Sequence, residues 1–267
     1  MGTNKQSRER HETNRNEWID NETVPTLDAF HSLAETRRTI RGFRPEPIPD
    51  DVLEQVLSAA NQAPSGANSQ PWEFLVIRDK EDKETVAEAF QKEIEYKRAA
   101  SDPGFPNFGN VGSIQEAPAV VIMVGDTRYQ QWWPHLLDGS REKMFQHSMA
   151  AAKMSLHLAA ASAGLGTTWL TTRRPTQSRL ERYFDVPDYC RAVATTPIGY
   201  PAPDSNPRTK AKVDVQDKIH YGRIDESRLP DIEDIAEGGD KTNWIPRVYK
   251  SEDAAASATS PLDRTEE

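Results

Sequence analysis

The sequence is poor in cysteine, in positive charge and in long apolar runs. Its 267 residues include one cysteine, Cys190, which excludes an intramolecular disulfide and any cysteine-rich zinc or iron–sulfur site. The formal net charge of −9 argues against binding to nucleic acid or anionic lipid, because such surfaces need a basic stripe. No segment approaches the roughly 18 apolar residues of a membrane helix, and the N-terminus has no apolar signal-peptide core. We therefore expect a soluble, cytoplasmic protein.

The two ends of the chain differ from its middle. The mean hydropathy of −0.76 is low for a chain long enough to bury one good core, so part of the length is expected to be solvated. Residues 1–24 are polar without periodicity and predict a disordered N-terminal arm. Residues 25–222 carry the periodic segments of one domain. Residues 223–267 contain few apolar clusters, which predicts an extension that partly wraps a partner subunit and is disordered at its end.

Hydrophobic spacing gives an alternation of helices and strands within the domain. Helices are predicted over about 26–37, 50–63, 80–100, 141–163 and 176–184, and strands over about 72–78, 117–124, 167–171 and 192–200. In the second helix, Asp51 and Glu54 form a capping pattern. Residues 101–113 are rich in glycine, proline and aromatic residues and predict a mobile loop or lid.

Two polar stretches early in the domain have the character of a binding site. The stretch Glu35–Pro45, ETRRTIRGFRP, supplies four arginines, whose planar forks suit a phosphate. The stretch Ala63–Trp72, APSGANSQPW, combines short hydrogen-bonding side chains with Gly66, which permits a close backbone approach to a ligand. One stretch suits a phosphorylated tail and the other a flat polar head. Together they predict a flavin site.

Four motifs in order strengthen this interpretation. An RRxxR run, the segment PSGANSQPW, an alanine-rich helix closing on AGLGTxW, and a strand ending in GYP together resemble the FMN-dependent nitroreductase superfamily over about residues 33–221. The resemblance implies an α+β fold with a mixed β-sheet flanked by helices. It also implies an intertwined homodimer in which the C-terminal arms are exchanged.

The resemblance implies cofactor contacts residue by residue. The residues that would contact the FMN phosphate and the ribityl chain are Arg37, Arg38, Thr39 and Arg41. Thr39 stands where the family usually has serine. Those matching the isoalloxazine ring and ribityl hydroxyls, mostly from the other subunit, are Pro64, Ser65, Gly66, Asn68 and Gln70. Those whose backbone amides would face flavin N5 and the ring edge are Gly164, Leu165, Gly166 and Thr167. After GYP the usual RKP is missing, and Arg208, Lys210 and Lys212 compete for the phosphate, with Lys212 favoured by its distance from His220.

No side-chain acid, base or metal site stands out, since the six histidines show no ligand spacing. Flavin N5 would then carry the chemistry, with NADH or NADPH as the electron donor. Aromatic residues that could roof the ring and set the acceptor are Tyr96, Phe105, Phe108, Trp132 and Trp133.

The leading hypothesis is an NAD(P)H-dependent FMN oxidoreductase that reduces nitroaromatics, quinones or related electron-poor acceptors by a ping-pong mechanism at one cleft. One alternative is reductive dehalogenation of halotyrosine-like phenols, because residues 93–97 faintly resemble the lid of iodotyrosine deiodinases. A second alternative is a flavin-dependent desaturase or oxidase of a tailoring pathway. A non-enzymatic phosphate-ligand sensor is the third.

Overall fold

The N-terminal part of the described chain is one amphipathic helix. The computed structural model describes residues 24–99, 111–132, 139–205 and 214–229, and it separates a unit ending at Arg37 from a unit that starts at Arg38. Helix α1, Leu27–Thr36, begins where predicted, because Thr26 Oγ1 accepts a hydrogen bond from Ala29 N at 3.2 Å. The apolar side chains of Leu27 and Phe30 are exposed.

The second unit is built on a five-stranded sheet. Its strands are β1 (Trp72–Ile77), β2 (Ala119–Asp126), β3 (Gly166–Thr167), β4 (Leu170–Thr171) and β5 (Cys190–Gly199). The sheet order is β1-β2-β5-β3, with β4 also paired to β5, and these pairs are antiparallel. An isolated bridge between Thr39 and Thr167 is parallel. The predicted combination of a sheet with flanking helices is confirmed.

Helices cover both faces of the sheet. They are α2 (Asp50–Asn61), α3 (Lys80–Ala99), α4 (Gly112–Glu116), α5 (Ser140–Ser162) and α6 (Arg174–Tyr183). The predicted capping pattern in α2 is wrong, because Pro49 is the N-cap and no side chain caps this helix. Asp50 and Asp51 instead place their carboxylates in the first turn, where the helix dipole favours negative charge.

Strand β2 is the centre of the core, as its continuous apolar run predicts. Seven of its eight residues are buried. Alternate side chains point to opposite faces of a strand, so Val120 and Ile122 pack with α3, α4 and α6 while Val121 and Met123 face α2 and α5. This sandwich of two helical layers around the sheet fixes the positions of the loops at both sheet edges.

Three segments differ from the predicted elements or lie outside the described residues. The strand predicted over 167–171 is two short strands, because Thr168 Oγ1 donates to Ile40 O and Trp169 packs against α5. Of the predicted lid, residues 101–110 lie outside the described residues, and Gly112 begins α4. Residues 1–23 of the predicted N-terminal arm and residues 230–267 of the C-terminal extension are also outside them.

Residues 214–229 contain two short 3-10 turns, Val215–Asp217 and Glu226–Arg228. Val215, Ile224 and Leu229 are exposed, whereas Ile219 is half-buried. These exposed side chains form no core among the described residues of the segment. Across the described ranges, none of the helices has the length and apolar character needed to cross a membrane.

Candidate functional site

The arginine-bearing segment runs along the β3 edge of the sheet. Ile40 N donates to Thr167 O at 3.0 Å, and Arg44 N donates to Tyr200 O at 2.9 Å, beside a bridge between Phe43 and Pro201. These bonds bring three sequence motifs to one edge: the arginine run, the AGLGT stretch and the GYP end of β5. The side chains of Arg38 and Thr39 are half-buried there, and that of Arg41 is exposed.

Gly166 permits this close approach. A Cβ atom at residue 166 would lie 2.6 Å from both Cβ and Cγ1 of Ile40, far inside normal contact. Ile40 is itself 8% exposed, and its branched side chain cannot swing away easily. The glycine that the sequence assigned to a flavin contact is therefore needed to let the arginine segment dock on β3.

The polar loop before β1 holds an unusual backbone. Ala67, Asn68 and Gln70 adopt φ values of 52°, 53° and 44°, in the left-handed region that non-glycine residues rarely occupy. Gly66, for which the sequence predicts a close backbone approach to a ligand, is not among the residues with positive φ, which are its neighbours. Such backbone strain is concentrated at binding sites.

Hydrogen bonds hold the loop in this conformation. Ser65 Oγ accepts from Gln70 N at 3.0 Å, and Ser148 Oγ of helix α5 accepts from Gly66 N at 3.1 Å. The side chains of Asn68 and Gln70 are left exposed at the surface, as is Pro64. The loop is therefore a preformed turn that presents two amide side chains outward.

The two predicted halves of the flavin site are not brought together within one chain. The polar loop leads directly into β1, at one edge of the sheet, whereas the arginine segment lies against β3, at the opposite edge. This separation agrees with the implication that the ring-lining loop comes mostly from the other subunit. Arg37 closes α1 in the first unit, and its role stays a prediction.

The AGLGT stretch is partly used by helix α5 itself. Gly164 N donates to Ala161 O at 3.1 Å and Leu165 N donates to Ala160 O at 2.8 Å, so these two amides close the helix C-terminus. Gly166 and Thr167 are in turn paired with β5, and Thr167 also forms the bridge to Thr39, so the contact of residues 164–167 with N5 stays a prediction. Thr167 Oγ1 lies 2.6 Å from His157 Nδ1, which holds this side chain inside the protein.

The predicted acceptor-binding aromatics are mostly beyond the described residues. Tyr96 lies on α3 and is 73% exposed, so its ring is available at the surface. Trp132 ends a 3-10 helix, Thr127–Trp132. Phe105, Phe108, Trp133, Arg208, Lys210 and Lys212 lie outside the described residues, and their roles stay predictions.

The residues that are described fit FMN in the chemistry of their donors. Arg38 and Arg41 bring two guanidinium groups to one short segment, and within the described ranges Arg41 forms no ion pair that would compete for a phosphate. In the polar loop, Ser69 Oγ is buried and has no hydrogen-bond partner among the described residues. An orphaned buried hydroxyl beside exposed amide side chains suits a polar ligand.

Sequence reasoning missed a buried cluster on α5. Lys153 is 3% exposed, its Nζ donates to Leu170 O at 2.9 Å, and the same atom lies 4.1 Å from the centre of the Trp169 ring. His157, one turn later, stacks on that ring with centroids 5.2 Å apart and an angle of 9°. The sequence did contain one sign of this burial, because helical spacing places Lys153 on the same face of the helix as Met149 and His157.

Burial lowers the pKa of the Lys153 ammonium from 10.5 to about 7, because the apolar surroundings disfavour its charged form. Between these two pH values the unfolded chain binds a proton that the folded chain does not. The free energy of unfolding is therefore expected to rise with pH above pH 7, by up to about 1.4 kcal/mol per pH unit from this residue. Denaturant titrations of the wild type and of Lys153→Met from pH 7 to 9 measure that slope.

The matched control is Lys143→Met, which removes an exposed lysine two to three turns earlier on the same helix. We expect the control to keep the wild-type slope and Lys153→Met to lose the part that Lys153 supplies. Equal slopes in all three proteins would show that Lys153 stays charged in the folded state.

Comparison with known proteins was consistent across sequence and structure. Residues 34–200 match the sequence model of the Nitroreductase family. A relative from Methanothermobacter thermautotrophicus, provisionally named NADH dehydrogenase/NAD(P)H nitroreductase, is 28% identical over 203 residues, which cover 74% of this chain and 88% of the relative. The iodotyrosine deiodinase of Haliscomenobacter hydrossis is 29% identical over 199 residues, which cover 69% of this chain and 86% of that protein.

A solved structure of iodotyrosine deiodinase, bound to FMN and 3-iodo-L-tyrosine, shares the fold. It aligns with a TM-score of 0.58 at 22% identity and covers 73% of this chain and 98% of the other. At this identity the likeness speaks for the fold alone. The resemblance and the α+β fold inferred from the four motifs are both confirmed.

Proposed function

Because the chain belongs to the Nitroreductase family, we propose that it is an NAD(P)H-dependent oxidoreductase that binds FMN and reduces an electron-poor acceptor such as a nitroaromatic or a quinone. The observation that carries the proposal is the docking of the arginine segment on β3 through Ile40 and Thr167. This contact places the arginine segment, which suits a phosphate, beside the AGLGT stretch, which the resemblance places at the flavin ring.

Arg38 and Arg41 hold the phosphate in this proposal. Arginine–phosphate bonds are charge-assisted and often bidentate, and two guanidinium groups match the nearly two negative charges of a phosphate monoester. Thr39 adds a hydroxyl beside them on the same segment. The backbone bonds from Ile40 and Arg44 to the sheet keep these side chains in place before the ligand arrives.

The chemistry of the reaction comes from the cofactor, since FMN, when bound, supplies a ring that accepts and donates hydride at N5. The protein contributes binding and orientation. The preformed polar loop presents Asn68 and Gln70 at the surface, and the Gly166–Thr167 stretch lies beside the arginine segment that docks on it. Donor and acceptor then occupy the same cleft in turn, which gives ping-pong kinetics.

The working form is a homodimer with the polar loop of one subunit completing the site of the other. The placement of the loop and the arginine segment at opposite sheet edges supports this. So does the exposure of apolar side chains on α1 and on residues 214–229, which a partner surface would cover. Light scattering of the FMN-bound protein measures the state, and a monomer would contradict it.

The first test is the visible absorption spectrum of the purified protein, followed under anaerobic conditions by addition of NADH and then NADPH. We expect flavin bands that bleach with at least one donor and recover on addition of a nitroaromatic or a quinone. Bands that persist with both donors would contradict the dependence on NAD(P)H. A colourless protein that cannot be loaded with FMN would overturn the proposal as a whole.

A second candidate reaction is reductive dehalogenation of a halotyrosine-like phenol. The iodotyrosine deiodinase relative favours it. Against it, Glu93 in the segment that resembles the deiodinase lid is buried and bonded to Thr176 Oγ1 at 2.5 Å, with Arg173 Nε 3.6 Å away. Adding 3-iodotyrosine to the reduced protein distinguishes the two reactions, because recovery of the flavin bands with iodide release would favour dehalogenation.

A further inference from the structure

The turn at the centre of the polar loop, residues 65–70, is held from helix α5 by one buried serine. Ser148 is 3% exposed, and its Oγ atom accepts a hydrogen bond from Gly66 N at 3.1 Å while it donates to Met144 O at 2.8 Å. Because the hydroxyl proton is committed to the helix carbonyl, a lone pair of Oγ is left facing the Gly66 amide. The contact joins residues 82 positions apart in the chain, so only tertiary packing creates it.

The other hydrogen bonds of the turn are internal. Ser65 accepts two of them, at O from Asn68 N and at Oγ from Gln70 N, both at 3.0 Å. Within the described ranges, the bond from Gly66 to Ser148 is the one hydrogen bond that ties the turn to another element. The internal bonds therefore fix the shape of the turn, whereas Ser148 fixes where the turn lies.

The conformation that Ser148 holds is a strained one. The φ values of Ala67, Asn68 and Gln70 are positive, and non-glycine residues keep such values only where the surrounding structure over-determines them. Asn68 and Gln70 also carry the exposed amide side chains that the proposed function assigns to the flavin ring. Loss of the bond to Ser148 is therefore expected to release the residues that would meet the ligand.

We propose that Ser148 is a positioning residue for the flavin ring, which fixes the polar loop from helix α5 and thereby sets the affinity of the site for FMN. This role rests on the proposed function, because it requires FMN in the site. Ser148 is buried, so it acts through the Gly66 peptide and not by touching the ligand. Since the polar loop and the arginine segment lie at opposite edges of the sheet, the loop that Ser148 fixes serves the site of the partner subunit.

Replacing Ser148 by alanine is expected to weaken FMN binding about five- to tenfold, because the Gly66 amide loses its acceptor. Helix α5 itself should not be weakened, since alanine is the best helix former. Equilibrium dialysis of FMN against the FMN-free full chain measures the affinity, and denaturant unfolding of the same samples measures the stability. Wild-type FMN affinity in Ser148→Ala would overturn the proposal.

The matched control is Ser162→Ala on the same helix. Ser162 is exposed and likewise donates back to its own helix, to Ala159 O at 2.8 Å, but among the described residues it has no bond to the polar loop. We expect the control to keep FMN affinity within about twofold of the wild type. A loss in Ser162→Ala as large as in Ser148→Ala would show that the bond to Gly66 is not the cause.

Visible circular dichroism of the bound flavin separates a role at the ring from a role at the phosphate. The signal depends on the asymmetric contacts of the ring, so at saturating FMN it should change in Ser148→Ala. It should match the wild type in Arg38→Ala and in Ser162→Ala, which leave the loop in place. A wild-type flavin signal in Ser148→Ala would contradict a role at the ring even if the affinity had fallen.

Mixed dimers show which subunit the loop serves. A dimer of one Ser148→Ala chain and one Arg38→Ala chain, isolated through two different affinity tags, has two FMN sites. If the loop serves the partner subunit, one site combines both defects and the other has neither, so half of the sites should bind FMN with wild-type affinity. If the loop served the arginine segment of its own chain, each site would carry one defect. Absence of any site with wild-type affinity would therefore refute the assignment to the partner subunit.

Failure of this proposal and failure of the redox function give different results. Weakened FMN binding in Ser148→Ala, together with flavin bands that neither NADH nor NADPH bleaches, would support the role of Ser148 and contradict the dependence on NAD(P)H. Bleaching of the wild type, together with unchanged FMN affinity in Ser148→Ala, would overturn the role of Ser148 alone. A wild-type chain that binds no FMN would overturn both.

Discussion

Replacing Arg38 by alanine is expected to weaken FMN binding about ten- to hundredfold while the fold is retained. The reason is that a charge-assisted hydrogen bond contributes roughly 1.5 to 3 kcal/mol, and each 1.4 kcal/mol corresponds to about a factor of ten. The Arg38 side chain is half-buried on the segment that docks against β3, where a partly desolvated contact keeps its strength. Equilibrium dialysis of FMN against the FMN-free protein measures the change, and circular dichroism checks the fold.

The matched control is Arg44→Ala, six residues further on. Arg44 pairs with Glu46 at 3.1 Å and its guanidinium lies 5.0 Å from the centre of the Tyr200 ring, so its charge already has partners at the surface. We expect its removal to leave FMN affinity within about twofold. Arg38→Lys should fall between the two, since it keeps the charge and loses the planar fork. Wild-type affinity in Arg38→Ala would show that the phosphate lies elsewhere.

Gly166→Ala is expected to destabilise the protein by roughly 1 to 3 kcal/mol and to lower FMN affinity together with stability. The added Cβ would meet Ile40 at 2.6 Å, and the segment carrying Arg38 and Thr39 would have to move away from β3. The bond from Ile40 N to Thr167 O and the bond from Thr168 Oγ1 to Ile40 O would both be strained. Denaturant unfolding and FMN dialysis of the same variant measure the two effects.

Two further variants test whether the clash is the cause. At Gly42, on the same segment, a Cβ would find its nearest neighbour 3.5 Å away at Ser205, so Gly42→Ala should be close to neutral. Ile40→Ala removes two of the three carbon atoms that the new Cβ at residue 166 would meet. The double variant Ile40→Ala with Gly166→Ala should therefore lose less stability than the sum of the single variants. Strict additivity would rule out the proposed contact.

The elements that sequence reasoning located well are those with a strong local signal. Helix α5 and strand β2 lie within a few residues of their predicted ranges, because a long periodic stripe and a continuous apolar run leave few alternatives. The prediction of one continuous strand over 167–171 was wrong. Its interruption depends on Thr168 bonding to Ile40, a residue more than 120 positions earlier in the chain, and no local pattern reports such a contact.

In the candidate site, too, features with a local signal were recognised and features that depend on long-range contacts were not. The residue types of the arginine run and the polar loop could be recognised from their chemistry and from their order among the four motifs. The role of Gly166 could not be recognised from the sequence, since it depends on the approach of Ile40 from a distant segment. Lys153 was overlooked because a lysine on a helix is ordinarily solvated, and only the packing of Trp169 and the sheet around it makes it buried.

The sequence by itself determined the family, the order of helices and strands, and the chemical types that suit a phosphate and a flat polar ring. These depend on local composition, periodicity and spacing, which are properties of neighbouring residues. Tertiary structure alone decided that the arginine segment and the polar loop lie at opposite edges of the sheet, and that Lys153 is buried without a carboxylate partner among the described residues. Sheet order and burial arise from contacts between residues far apart in the chain, and such contacts leave no trace in a local pattern.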